Sequence, residues 1–181
     1  MENSYIPPGA LTAIRARLSE QDRAIVDILA GTGFRLDDVL YSRVYHWSGA
    51  FVVLRERKTG NVRKVPITPE IRSSIAIINR CNTSPSQPNR PRLAYFLPTT
   101  RVNAPYGCRR KRHRSTIHAH FARAVREAGY AGCGYTVHSL RKVYAHRLYE
   151  RTGSVLAVQR DLGHKHLATT LLYALGDAVR L

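Results

Sequence analysis

Acidic residues are scarce in this chain: 12 Asp and Glu stand against 29 Lys and Arg, a formal charge of +17 over 181 residues. So much charge of one sign costs self-repulsion in a small domain unless a polyanion rests against it. Nucleic acid is the commonest such partner, and its phosphates make binding salt-dependent. Cysteine is scarce as well. Cys81, Cys108 and Cys133 are odd in number and show no CxxC spacing, which argues against a disulfide framework and fits a reducing compartment. Cys108 with His113, or Cys133 with His138, lacks a second pair at zinc-finger spacing, so no metal is expected. No apolar run approaches the length of a membrane span. The opening residues have no basic stretch leading into an apolar one, as a secretory signal would. The expectation is a protein with no membrane association, acting in the cytoplasm.

Apolar residues make up 44% of the chain, enough for a core. Residues 1–18 read as an N-terminal arm, broken by Pro7-Pro8-Gly9, within which 11–18 suit a short helix. Residues 19–181 read as one domain. Ser19 begins a helix, with Asp22 three residues on as an imperfect capping box. Ile25, Val26, Ile28 and Leu29 supply its apolar face, and Gly31 and Gly33 end it. A short helix is expected over 36–42. The pattern then becomes alternating and β-branched: 51–54 and 62–67 read as two strands joined by Lys58-Thr59-Gly60-Asn61, a β-hairpin. Thr68 and Pro69 open another helix as N-cap and first helical residue, with Ile71, Ile75 and Ile78 at helical spacing. Residues 82–92 read as an exposed loop, and 94–97 as a short apolar piece. Further helices are expected to start at Ser115, Thr136 and Ser154 and to end at Gly129, Gly153 and near Gly163. A last element from about Ala168 holds Tyr173. The fold class is mainly α with one small antiparallel β-sheet (α+β).

Several residues suit phosphate chemistry. His138 and Arg141 are three apart on a helix and share a face, a titratable ring beside a fork of donors. Leu162-Gly163-His164 closes the next helix, and Tyr173 follows nine residues later. Upstream, Thr32-Gly33-Phe34-Arg35 puts an arginine at the junction of two helices, and Lys58 lies at the hairpin tip. Taken singly, each has an ordinary reading. Tyr173 packs in a core, His164 caps a helix end, Lys58 decorates a turn, and Arg35 pairs with Asp38. His138 and Arg141 then form a solvated face. Arg55, Arg57 and Lys64 are other cations that suit the place of Lys58. The densest basic run, Arg109, Arg110, Lys111, Arg112, His113 and Arg114, reads as a phosphate-backbone contact or a flexible basic loop rather than as part of a reaction centre.

As an ordered set these residues resemble the tyrosine recombinase family, phage integrases among them, over nearly the whole chain from Ser19 on. The family pattern is an arginine in a TGxR segment, a lysine on a β-hairpin, then HxxR, LGH and a tyrosine nine residues after that histidine. Here Arg35, Lys58, His138, Arg141, His164 and Tyr173 fill those places in order, and Asp38 stands where the family usually has an acid. The resemblance implies the catalytic-domain fold and a site-specific DNA recombinase with no cofactor. Tyr173 would attack a backbone phosphorus to give a 3′-phosphotyrosine. Arg35, Arg141 and His164 would hold the phosphate oxygens, Lys58 would protonate the leaving 5′-oxygen, and His138 would move the tyrosine's proton. It also implies double-stranded DNA as partner, a tetramer of protomers on paired sites, and a place in a prokaryotic nucleoid or in a host cell as a viral or mobile-element protein. Too few residues precede Ser19 for the helical clamp domain most members carry, and few follow Tyr173 for a docking tail. That implies either a minimal recombinase or a catalytic fragment. The alternative reading is a non-catalytic DNA-binding regulator that keeps the fold.

Overall fold

A computed structural model describes residues 4–83, 94–98, 110–164 and 166–174. The elements run α1 (Pro8–Ala16), α2 (Glu20–Thr32), α3 (Leu36–Tyr41), β1 (Phe51–Arg55), β2 (Val62–Pro66), α4 (Pro69–Asn82), α5 (Arg114–Glu127), α6 (Ser139–Thr152), α7 (Val155–Leu162) and α8 (Leu167–Ala174). A single turn of 3-10 helix lies between α3 and β1, over Val44–Trp47. The α+β class expected from the sequence is what the structure has.

α2 is the central helix. It packs against α4 and α6, with lesser contacts to α1 and α5. Neighbours on several sides account for its burial almost all round: Ala24, Ile25, Val26, Ile28, Leu29 and Ala30 are all inside. Each such Ile or Leu contributes roughly 1.5–3 kcal/mol relative to exposure. Local chemistry sets its ends as the sequence suggested. Ser19 accepts the Asp22 N–H, and Gly33 closes the helix in the left-handed region. Thr68 and Ser154 likewise cap α4 and α7, and Gly153 closes α6.

The hairpin pairs Phe51 with Pro66 through Arg55 with Val62, antiparallel. Side chains alternate across it, so Val52 and Leu54 face the core beside Arg63 and Val65. Its turn closes through Glu56 N–H to the Asn61 carbonyl and Gly60 N–H to the Glu56 carbonyl, both 2.8 Å.

Three local expectations differ from what is found. The short helix expected over 11–18 of the arm runs instead over Pro8–Ala16 as α1, and Ile6, Leu11, Ile14 and Leu18 join the main core. α5 starts at Arg114, two residues earlier than a Ser115 cap would place it, because His113 takes the cap position. Ser115 instead hydrogen-bonds to the His113 ring. α6 starts at Ser139, not after Thr136, whose hydroxyl accepts the His138 N–H within a preceding turn. Most of the expected loop at 82–92 lies outside the described residues, although Asn82 itself ends α4. Among the described residues no helix is long and apolar enough to cross a membrane.

Candidate active site

The turn after α2 sets the first arginine. Gly33 has φ of 64°, and a Cβ added there would stand 2.3 Å from the Tyr144 ring. Only glycine meets both demands. The chain then reverses through Phe34, and Arg35 takes the cap position of α3 in extended backbone. Its Nη1 lies 2.6 Å from Glu56 Oε2, with 22% of the arginine side chain exposed and none of the glutamate's. Asp38 is not its ion-pair partner. That carboxylate is buried and accepts the Arg57 N–H at 2.8 Å, which ties α3 to the hairpin tip.

Arg141 projects from the first turn of α6 and is only 2% exposed, so the solvated-face reading does not hold for it. It donates to the Gly33 carbonyl, to Glu56 Oε1 at 3.2 Å and to the Leu162 carbonyl at 2.8 Å. One guanidinium thus joins the ends of α2, β1 and α7. Burial, with Arg35 nearby, lowers its pKa to about 10, which leaves it charged at neutral pH. Burial alone would raise the Glu56 carboxyl. Arg141 and Arg35 more than offset this and hold it below the usual range, so it is ionised.

Arg63 clamps the same region from β2. It donates to the Asp161 carbonyl at 2.5 Å, to Asp161 Oδ2 at 2.7 Å and to the Thr32 carbonyl at 3.1 Å. Tyr144 donates to the same Asp161 oxygen at 2.8 Å. Asn61 at the hairpin tip comes so near Gly163 that an added Cβ would sit 2.8 Å from its Nδ2. The hairpin is therefore fixed against the end of α7, where the Leu-Gly-His segment lies.

Past Gly163, which closes α7 with φ of 63°, His164 turns toward α8. Its Nδ1 is 3.2 Å from the Thr170 hydroxyl, a fully buried group. One helical turn on, the Tyr173 hydroxyl hydrogen-bonds with His138 Nε2. The Tyr173 ring stands edge-on to both imidazoles, with centroids 5.8 Å from His138 and 4.9 Å from His164. Burial, then Arg141 and Arg35, push each imidazole down to about 4. Both are neutral at neutral pH. Burial also raises the Tyr173 phenol, against the opposing pull of Arg141 and Arg35. Arg35, His138 and Arg141 line a cavity of about 130 Å³, shared with Arg114 and His118 of α5. A larger cavity, about 470 Å³ between α1, α2, β2 and α6, includes none of these groups.

Five of the six residues singled out in the sequence thus meet in one place. Lys58 stands apart: it is exposed on the hairpin turn, close enough for its charge to be felt at His138. The basic run divides. Arg109 lies outside the described residues. Arg110 is exposed, Lys111 lies over the Tyr41 ring at 4.5 Å, and Arg114 pairs with Asp37 at 3.2 Å on the surface. Arg112 corrects the expectation that the whole run faces DNA. It is 6% exposed and bound to Asp22 at 2.8 Å, because a buried carboxylate on α2 needs a cation. Glu56 and Arg63 were missed from the sequence. Strand parity carried the signal, since Glu56 follows Val52 and Leu54 at a spacing of two. Among the described residues no three His, Cys, Asp or Glu side chains gather as metal ligands would.

Known proteins are similar to this chain in sequence and in fold. The model of the phage integrase family matches residues 10–178. The chain belongs to that family. Tyrosine recombinase XerA of Pyrococcus furiosus is 30% identical over 156 residues, covering 84% of this chain and 49% of that protein. Tyrosine recombinase XerC of Vibrio vulnificus is 28% identical over 159 residues, covering 86% and 46%. The chain spans about half the length of the curated relatives it matches. Among solved structures, a lambda integrase dimer bound to a COC′ core site superposes with a TM-score of 0.74 at 20% identity, over 100% of this chain and 50% of that one. The XerA recombinase crystal structure gives 0.73 at 20% identity, over 94% and 58%. At these identities the superpositions establish the tyrosine recombinase catalytic-domain fold.

Proposed function

We propose that this chain carries the cutting and rejoining chemistry of a site-specific DNA recombinase, with Tyr173 as nucleophile. The observation that carries the reading is the hydrogen bond between Tyr173 and His138 beside Arg35, Arg141 and His164. A phenol at neutral pH is a weak nucleophile, and burial here makes it weaker. Its proton must leave as the bond to phosphorus forms. A neutral His138 accepts it at Nε2. The cations that depress this imidazole are the groups that would bind a phosphate. An arriving anion offsets their field and makes His138 more basic when substrate is present.

Tyr173 Oη then bonds to phosphorus, the bond to the 5′-oxygen breaks, and Lys58 at the hairpin tip supplies the proton that oxygen needs. Arg35 and Arg141 hold the non-bridging oxygens as charge builds, and His164 adds a hydrogen bond. The phosphotyrosine conserves the bond energy, so a free 5′-hydroxyl reverses the step without ATP. Arg110, Lys111 and Arg114 are assigned to the phosphate backbone, and Arg109 with them from the sequence. The net charge of +17 supports double-stranded DNA as the partner. Family resemblance supports a tetramer on two paired sites.

The test is covalent capture. The chain and its Tyr173→Phe variant are mixed in EDTA with randomised nicked duplexes, and denaturation-resistant protein–DNA adducts are isolated and sequenced. An adduct with the wild type alone is the expected result. No adduct, with salt-sensitive DNA binding intact, moves the assignment to a DNA-binding regulator.

A further inference from the structure

We propose that Glu56 is a positioning residue for this reaction: its one buried carboxylate orients Arg35 and Arg141 as a pair and fixes the turn that carries Lys58. The inference rests on the reading of the site as a DNA-cleaving one. Glu56 is wholly buried, so it cannot touch a bound phosphate. It acts only through its neighbours, and its two oxygens are divided between them. Oε2 meets Arg35 at 2.6 Å and accepts the Thr59 hydroxyl at 2.8 Å. Oε1 meets Arg141 at 3.2 Å, with Arg63 at 3.8 Å. The backbone of Glu56 closes the hairpin turn on both sides, to Asn61 and Gly60, with Lys58 between.

The electrostatics require such a group. Without it, three guanidinium ions would face one another in a buried place, and like charges there separate unless a counter-charge holds them. With it, Arg141 spends donors on Gly33, Glu56 and Leu162, and the rest of its fork and the exposed part of Arg35 stay aimed at the cavity. A phosphate would find both guanidinium groups already set, with little reorganisation left for the transition state. An ion pair serving only stability would need one arginine. This carboxylate serves the two arginines and the turn at once.

Glu56→Gln keeps the size of the side chain, removes its charge and replaces one accepting oxygen with a donating NH2 group. It is tested in the full chain, by single-turnover cleavage of the duplex recovered in the capture experiment. The cleavage rate at saturating DNA is expected to fall by about 100-fold or more. DNA affinity should hold within about threefold or tighten, because a repelling charge is gone. Glu56→Asp restores the charge one methylene short and should recover at least about tenfold of the loss. An unchanged rate in Glu56→Gln overturns the proposal. So does a parallel loss of rate, DNA affinity and melting temperature that Glu56→Asp does not mend, since that marks a merely structural role.

A second measurement needs no cleavage. Held guanidinium groups give separate Nη–H resonances in ¹⁵N spectra of the DNA-free protein. Those of Arg35 and Arg141 should collapse in Glu56→Gln, and their persistence overturns the proposal. A wild type that forms no adduct but shows this collapse on substitution removes the cleavage reading and leaves the positioning standing. Should Glu56→Gln fail to fold, Glu56→Asp carries the test: a slower rate at unchanged DNA affinity supports the role, and an unchanged rate overturns it.

Discussion

Arg35 and Arg141 stand at the starts of α3 and α6, next to Leu36 and Leu140 of the main core, whereas His164 follows α7 and Tyr173 lies on α8, against a smaller one. The main cluster draws on every element from α1 to α6. The smaller is built from Tyr144, Ala145, Leu148, Val158 and Leu162, with Tyr149 and Tyr173 packed at its edge. Among the described residues, at roughly 1.5–3 kcal/mol per buried aliphatic side chain, far less holds the side of the proposed nucleophile than the cation side. The division suits the chemistry. Charge stabilisation works best from groups already in place, while a nucleophile that attacks and is released does not need the most stable part of a fold.

Substitutions on the two sides should therefore fail differently. Tyr173→Phe removes one hydroxyl and its bond to His138. Adduct formation should fall by more than about 10³-fold, while urea unfolding shifts by only about 1 kcal/mol. Arg141→Ala should lose cleavage and also about 3 kcal/mol or more of stability. It leaves Glu56 with one partner fewer and strands the Gly33 and Leu162 carbonyls. Equal stability losses in the two variants would break the comparison.

Arg112→Ala is the next largest effect. It leaves Asp22 buried with Ser19 and His120 alone, and about 2–3 kcal/mol should be lost in chemical denaturation.

Acid should separate the two sides in sequence. His138 and His164 have folded values near 4, below the roughly 6.5 of a free imidazole. On acidification the unfolded chain takes up these protons first. Their contribution is full above about pH 6.5 and is lost as pH falls from there to about 4. Glu56 and Asp22 are depressed carboxylates, so their contribution is present above the unfolded carboxylate value and goes only as pH falls below it. Hydrogen exchange at α8 should accelerate, beyond the intrinsic chemistry, between pH 7 and 5, ahead of any change at α2. Simultaneous loss at both would count against two separately anchored sides.

The smallest effect belongs to the exposed part of the basic run. Arg110→Ala should weaken DNA binding by no more than a few-fold, reduce the salt slope by about one, and leave stability unchanged. Against Arg112→Ala, it separates a surface charge from a buried one in the same run.

Much of this was legible in the chain because the signals are local. Ser19, Thr68 and Ser154 cap helices through the N–H group three residues on, and Gly33, Gly153 and Gly163 end them by taking a conformation other residues resist. The hairpin followed from alternation and turn chemistry. Ser115 and Thr136 misled because a hydroxyl near a helix start can bond to a side chain or a turn instead. Arg112 misled because nothing within a run of cations tells which one faces a carboxylate far away in sequence. Glu56 was the legible miss, since its parity with Val52 and Leu54 already placed it inward.

The sequence by itself determined the class of fold, the helix ends, the hairpin, the family, and the order of the residues suited to phosphate chemistry. Each follows from spacing, side-chain type or backbone preference within a few residues. Only the tertiary structure decided how the polar side chains pair in space. Arg35 goes to Glu56 and not Asp38, Arg112 to Asp22, and Tyr173 to His138 across 35 positions. These pairings depend on which elements pack together, and that is settled by burial of the whole core rather than by any local stretch of chain.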